Sequence, residues 1–406
     1  MRIAYIVPYV PNQIRTRPYN LISQLAALGH EVSVFMLGSN QQDSLDAQRL
    51  ESKCHHTYYH VQPVWRSFLN CAAALPSHQP LQYVYSWQEG MAQQIAQCIS
   101  EKAFDIVHVE HLRGSRYGVF LKTRFPDMPV VWDSVDCISH LFKQAASQSR
   151  SFFGRFITRF ELPRTQKTES DLVCQFNQVL VTSPADRNAL LELVPSGKRP
   201  SPISVLPNGV NLEYFHPNLD VQREPEMIVF SGKMSYHANI SMAKYLAAEI
   251  MPRIWKARPK TRLYIVGKDP SSDIRALATN PLITITGTVD DIRPFLWRAT
   301  VAVVPLLYGA GIQNKILEAM AVGTPVVTTV NALAALQAQA GNELLASQGP
   351  EEFSETVLRL IEDRSLQCRL GDAGVAYVKA HHNWASIASQ MVDIYQSVSS
   401  LDSKIS

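Results

Sequence analysis

The sequence predicts an α/β protein made of two doubly wound domains, and three observations predict it. The chain opens on the apolar run Arg2-Ile3-Ala4-Tyr5-Ile6-Val7, passes through a polar loop and a helical stretch, and reaches a second run, Glu31-Val32-Ser33-Val34-Phe35. The same order begins again at Met227-Ile228-Val229-Phe230. Short continuous apolar runs bounded by turn residues are strands of a parallel sheet covered on both faces. Between the two series stand the turn dipeptide Asn208-Gly209 and the polar, proline-bearing segment 216–226. At 406 residues the chain can give each domain a full core. The expected boundaries are 1–205, 206–384, and a terminal helix over 385–406, amphipathic through Ile387, Met391, Ile394 and Tyr395.

In the first half, the loop Pro11 to Pro18 carries Arg15 and Arg17, and a helix is expected from about Tyr19 to Leu28, stopped by Gly29. Gln41 to Ser52 reads as helical. His55, His56 and His60 have no carboxylate or cysteine at ligand spacing and read as surface histidines. Pro80 to Ser86 leads into a helix ending near Glu101. In the run Phe104 to His111, Val107 and Val109 alternate with His108 and Glu110. Pro129-Val130-Val131-Trp132 is a strand that delivers Asp133-Ser134-Val135-Asp136 to its C-terminal edge, where α/β sheets bind ligands. A helix cap by Ser134 or Asp136 explains the same residues more plainly. Over 140–170 a long helical region sets Phe152, Phe153, Phe156, Ile157 and Phe160 near helical spacing, interleaved with Arg150, Arg155, Arg159 and Arg164. Such a helix lies on an anionic membrane surface or packs on its own sheet with the arginines outward. Val179 to Ser183 is a strand, and Ala185-Asp186-Arg187 opens the next helix.

In the second half, Met227 to Phe230 ends in Ser231-Gly232-Lys233-Met234, Arg262 to Val266 ends at Gly267, and Glu343 to Ala346 is a late strand. The richest stretch is Pro305 to Thr329. A strand, Ala302 to Leu306, is cut off at a proline; the loop Tyr308-Gly309-Ala310-Gly311 lets backbone approach a ligand; a helix runs from about Gln313 to the left-handed cap Gly323. Pro325-Val326-Val327 then starts another strand. Strand, glycine loop, helix and strand make half of a nucleotide site. The free N–H groups and positive dipole end of the helix attract an anion. Lys315, in the first turn, is disfavoured there unless an anion is bound. Glu318 follows three residues on, on the same face. One turn thus offers a charge for a phosphate and a carboxylate for two neighbouring hydroxyls. An ordinary surface Lys–Glu pair has the same spacing.

Composition narrows the function. Apolar residues at 46% and charged residues at 18% fit a globular protein, and a net charge of +3 is too mild to argue for nucleic acid. Six cysteines show no C-x-x-C and no metal-like spacing, which is expected of reduced thiols in a cytoplasmic protein. The start of the chain reads as a strand rather than a signal peptide, and no apolar run is long enough to span a bilayer.

The stretch Glu318-Ala319-Met320-Ala321, Gly323, Pro325-Val326-Val327 resembles the nucleotide-sugar site of family 4 glycosyltransferases, retaining enzymes of GT-B fold. The form Gly309 to Lys315 is similar to a subgroup of sugar transferases associated with exopolysaccharide and exosortase loci, as are Arg17, Tyr19 and Asn20. Val181-Thr182-Ser183 with Asp186, the segment Leu206 to Asn211, and Gly287 to Asp291 resemble further steps of the family. The resemblance implies two Rossmann-like domains facing across a cleft, with the terminal helix crossing back to the first. It implies a metal-independent transferase, with no cofactor besides its nucleotide-diphosphate sugar, acting on a glycan or lipid-linked acceptor in exopolysaccharide or cell-surface glycan synthesis. Gly232, Lys233, Gly311, Ile312, Gln313, Asn314, Lys315 and Glu318 are then the donor site, Glu318 on the ribose. Arg17 contacts phosphate or acceptor, with solvated loop arginine as the other reading. Asp133 and Asp136 stand near the family's catalytic histidine, where a carboxylate binds a sugar hydroxyl, deprotonates the acceptor or stabilises developing positive charge. Two departures matter. Ala310 replaces the first of the family's two glutamates, so loop N–H groups, Gln313 or Lys315 take over its sugar contact. A family lysine falls near Asn239, and Lys315 is expected to restore that charge. The expected location is cytoplasmic, with peripheral contact to the inner membrane face through 150–164. A catalytically silent partner subunit and a GT-B nucleotide-sugar epimerase are the alternatives.

Overall fold

The computed structural model describes residues 1–13, 15–101, 104–148, 152–308 and 311–402. The chain divides into two units, 1–207 with 384–406, and 208–383. In the first, strands β1 (Arg2–Val7), β2 (Glu31–Gly38), β3 (His56–Val61), β4 (Ile106–Glu110), β5 (Val130–Val135), β6 (Gln178–Val181) and β7 (Ile203–Val205) form a sheet in the order β3-β2-β1-β4-β5-β6-β7. In the second, β8 (Met227–Ser231), β9 (Arg262–Val266), β10 (Ile283–Gly287), β11 (Val301–Val304), β12 (Val326–Thr329) and β13 (Leu345–Ser347) follow the order β10-β9-β8-β11-β12-β13. All of these pairs are parallel. This is the doubly wound α/β architecture expected, in both units.

Apolar runs became strands because both sheet faces are covered. Alternate residues of β1 point to opposite faces, and each face has its own core. Ala4 and Ile6 pack with Val107, Val109 and Trp132, whereas Ile3, Tyr5 and Val7 pack with Leu21, Val34 and the terminal helix residues Met391 and Tyr395. That helix, Trp384–Asp402, lies against helix Thr16–Ala27.

Several elements differ from the expectation. Helix Thr16–Ala27 starts three residues before Tyr19, which puts Arg17 and Pro18 in its first turn, where proline is tolerated. The region 140–170 is two helices, Ile138–Gln148 and Phe152–Val173. The histidines near residue 56 belong in part to a strand: β3, HTYYHV, is a half-buried edge strand paired with β2. A helix at Val64–Ala74, not among the expected elements, follows it.

In each sheet the strand order reverses once, between β1 and β4 and between β8 and β11. Ligands of such sheets bind beyond the strand ends at these reversals. The loops after β1, β4, β8 and β11 are therefore the places to look.

The loop after β8 is set by a glycine contact. Gly232 and Gly267 have φ of +147° and +149°, and the Gly232 N–H donates to the Val266 carbonyl at 3.0 Å. A Cβ on Gly267 would lie 1.7 Å from the Gly232 carbonyl oxygen. Gly267→Ala should therefore destabilise the protein by about 2–4 kcal/mol, read as a lower midpoint in denaturant, since strain and backbone overlap add.

Candidate functional site

In the second unit the chain leaves β8 at Gly232-Lys233. Lys233 is exposed, 3.8 Å from the Asp269 carboxylate. The next helix, His237–Tyr245, directs Asn239 back at this loop, where its Nδ2 donates to the Lys233 carbonyl at 2.9 Å. Helix Asn314–Ala321 approaches from β11, and its Lys315 Nζ donates to Asn239 Oδ1 at 2.5 Å. The ammonium also sits 5.1 Å from the Phe230 ring centre. The Lys315 charge thus lies beside the Asn239 position, where the resemblance left a charge missing. Burial pulls Lys315 down to about 8, against Glu318, which favours its charged form. Burial pushes Glu318 up to about 7, against Lys315. Both charges are poorly solvated and want partners. Among the described residues no hydrogen bond or ion pair holds the Glu318 carboxylate.

The remaining residues of this site play unequal parts. Ile312 is buried in the core, so what it offers the loop is backbone. Gln313 precedes the helix and its side chain donates to the Gly311 carbonyl at 3.1 Å. The Asn314 side chain is half-buried. Gly309 and Ala310 lie outside the described residues. A contact not anticipated ties the segments after β8 and β11: the Tyr308 hydroxyl meets His237 Nδ1 at 2.9 Å and Ser241 Oγ at 3.2 Å, with the His237 and Tyr308 rings stacked. The helix end was legible: Gly323, φ +78°, donates to Met320, and Thr324 to Ala319.

In the first unit Arg17 and Asp133 meet, 116 residues apart, with Nε and Nη2 both 2.8 Å from Oδ2. Arg17 Nη1 donates to the Leu206 and Pro207 carbonyls, and Asp133 Oδ1 accepts from the Val135 N–H. Arg17 is 5% exposed and Asp133 0%, so neither is a solvated loop residue. Asp136 is different: it is half-buried, accepts from Thr182 Oγ1 at 3.3 Å, and is pushed up to about 7 by burial and then by Asp186. Neither Ser134 nor Asp136 caps helix Ile138–Gln148. Glu169 does, accepting from the Ile138 and Ser139 N–H groups, while Asp186 accepts from Cys137. The backbone is strained beside these residues, with φ of +67° at Val135 and +64° at His111.

Behind the Arg17–Asp133 pair lies a buried polar layer. Tyr5 and Tyr9 hydroxyls both donate to Glu110, and His108 Nδ1 meets the Tyr395 hydroxyl of the terminal helix at 2.8 Å. His108 is held well below its ordinary value by burial and Arg17. Glu110 was visible at the tip of its strand, but its protonation was not: burial, then Asp133, push it up to about 8. Among the described residues no group of three His, Cys, Asp or Glu side chains is placed to hold a metal ion. The arginine–aromatic residues at 150–157 lie outside the described side chains. Of that stretch, Phe160 is partly exposed and Arg164 stacks over it at 3.8 Å.

The Glu110 value has a pH consequence. The unfolded chain deprotonates near 4.5 while the folded protein keeps the proton to about 8, so the folded state binds more protons between them and stability falls as pH rises. Glu110→Gln removes this component. The midpoint of the variant relative to wild type should rise between pH 5 and 9, and a flat difference counts against a neutral Glu110.

Comparison with known proteins agrees with the fold. Residues 15–214 match the family model described as Glycosyltransferase Family 4, and residues 225–363 the one described as Glycosyl transferases group 1. The D-inositol 3-phosphate glycosyltransferase of Frankia alni is 25% identical over 259 residues, 59% of this chain and 63% of that protein. The alpha-maltose-1-phosphate synthase of Mycobacterium tuberculosis is 26% identical over 263 residues, 57% and 65%. The matched chain spans just under two thirds of the length of these two relatives. The sucrose-phosphate synthase of Thermosynechococcus elongatus has the same fold, with a TM-score of 0.71, 20% identity, and coverage of 98% of this chain and 99% of that one. Anabaena Alr3699/HepE, solved with UDP and glucose, superposes with a TM-score of 0.64 at 14% identity, covering 98% and 100%. With a glycosyltransferase model on each unit, the two together matching most of the chain, and a Rossmann-like parallel sheet in each, the chain belongs to the family 4 glycosyltransferases.

Proposed function

We propose that this chain transfers a sugar from a nucleotide-diphosphate sugar to a glycan or lipid-linked acceptor, with retention, in exopolysaccharide or cell-surface glycan synthesis. The observation that carries the reading is the half-completed electrostatics between β8 and β11: a partly desolvated ammonium on Asn239 and a carboxylate with no hydrogen-bond partner among the described residues, at a strand-order reversal. A diphosphate and a ribose diol complete both. Lys315, the N–H groups that open helix Asn314–Ala321, and the exposed Lys233 meet the charge that grows on the departing diphosphate. That work needs no essential metal. Glu318 accepts from the ribose hydroxyls. The UDP and glucose of the HepE structure fit this class of donor.

On the acceptor side, Asp136 is the better suited of the two aspartates. A carboxyl near 7 takes a proton at neutral pH, which is what activating an acceptor hydroxyl asks. Asp133 and Arg17 then act as positioning residues that fix the edge on which Asp136 stands. One observation favours a second reading: Ala310 in place of the first family glutamate fits a catalytically silent partner that binds nucleotide weakly.

A thermal-shift screen against UDP, GDP, ADP and UMP without divalent metal separates the two. A selective shift with one diphosphate is expected; no shift with any of them moves the reading to the silent partner. Glu318→Ala should weaken binding of that nucleotide tenfold or more, since a hydrogen bond to a charged group contributes about 1.5–3 kcal/mol. Lys315→Ala should weaken the diphosphate more than the monophosphate; equal losses would argue against a phosphate contact. Sugar transfer should survive a chelator.

A further inference from the structure

Helix Val64–Ala74 is packed inside out. Its inward side is small or polar: Ser67 and Ala74 are buried, and Asn70 donates to the Trp87 carbonyl at 2.9 Å. Its apolar side faces solvent, with Val64, Trp65, Phe68 and Leu69 exposed by 48%, 61%, 65% and 59%. The helix positions of these four residues fall on one face. The face continues at both ends, through Val61 before the helix and Leu75 after it, 56% and 51% exposed. A surface helix ordinarily buries this side, and a contiguous exposed apolar patch marks a binding surface.

Charge indicates what covers it. From Ser52 to Gln88 the chain has no aspartate or glutamate, and the exposed Arg66 stands at the rim. Arg164 joins from the neighbouring helix Phe152–Val173, donating to the Leu75 carbonyl at 2.9 Å and stacking over the exposed Phe160 ring. Glu161 of that helix is buried, accepts from the Leu81 N–H and offsets the Arg164 charge, which leaves Arg66 as the open cation of the patch. Tryptophan, phenylalanine and leucine on one side with a cation at the edge is the chemistry of a helix lying in a lipid interface.

We propose that helix Val64–Ala74 docks the first unit on an anionic lipid surface, with Trp65, Phe68 and Leu69 entering the headgroup boundary and the exposed Arg66 on the lipid charges. Among the described residues no helix is long and apolar enough to cross a membrane, so this contact is interfacial. It does not rest on the transferase reading, because binding is measured without turnover.

The test is co-sedimentation of the full chain with vesicles of phosphatidylcholine alone and of phosphatidylcholine mixed with phosphatidylglycerol. Wild type should sediment with the mixed vesicles, less as salt is raised, and far less with phosphatidylcholine alone. Trp65→Ser with Phe68→Ser should lower the partition by about tenfold or more, since both rings are the buried apolar area of the contact. Arg66→Glu, which alters only an exposed charge, should lower it as well and decides the matter if the double variant does not fold. Wild type left in the supernatant, or variants that partition like wild type, overturn the proposal. So does a dimer in sedimentation velocity that the double variant abolishes, since the face then belongs to a second copy.

Discussion

The Arg17–Asp133 pair is the constraint on which the first unit depends. One guanidinium joins the first turn of helix Thr16–Ala27, the end of β5, and the Leu206–Pro207 backbone where the unit hands over to the next. Taking two charges out of water is unfavourable unless geometry and extra hydrogen bonds compensate. Here they do in good part: Nε donates to Asp133 Oδ2 with Nη2 in ion-pair contact at 2.8 Å, Nη1 donates to two carbonyls, and Asp133 Oδ1 accepts from the Val135 N–H. Loss of one partner would leave an uncompensated buried charge, at about 3–5 kcal/mol. The same pair shapes its neighbours. Arg17 disfavours a proton on His108, and Asp133 disfavours the anion of Glu110. A layer of tyrosines, histidine and carboxyl thus settles around one fixed charge pair.

The second unit solves the matching problem differently. Lys315 has an amide oxygen rather than a carboxylate, and among the described residues Glu318, one turn away, has no donor. The first site is electrostatically closed and the second is open. Closed sites hold shape, and open ones are completed by something that arrives. On that contrast, more than on any single residue, rests the proposed division between positioning at the edge of β5 and binding at the loops after β8 and β11.

The parts legible in the sequence were those encoded locally. Continuous apolar runs marked β1, β4, β5, β8 and β11, and a glycine followed by Pro325 marked the end of helix Asn314–Ala321. The parts missed were encoded at a distance or against pattern. Nothing near Arg17 names its partner 116 residues on. Glu169 caps a helix that begins about thirty residues earlier, so the nearer Ser134 and Asp136 were the natural candidates. β3 lacks an apolar run because it is a half-buried edge strand. Helix Val64–Ala74 shows helical spacing of apolar residues, yet the side that spacing defines is not the side facing the core. Binary pattern locates a helix's apolar face, and only the fold says what that face meets.

The terminal helix has a consequence for how the molecule is made. The first unit is discontinuous: its sheet is encoded by 2–205, but one face of β1 is closed by Met391 and Tyr395, and the Tyr395–His108 bond joins residues 287 apart. On the ribosome the first sheet therefore emerges early and waits with that face uncovered, while the second unit is a continuous stretch able to finish first. The half that leads in synthesis is the half that matures last, and a lesion in helix Trp384–Asp402 falls on the sheet that residues 2–205 encode.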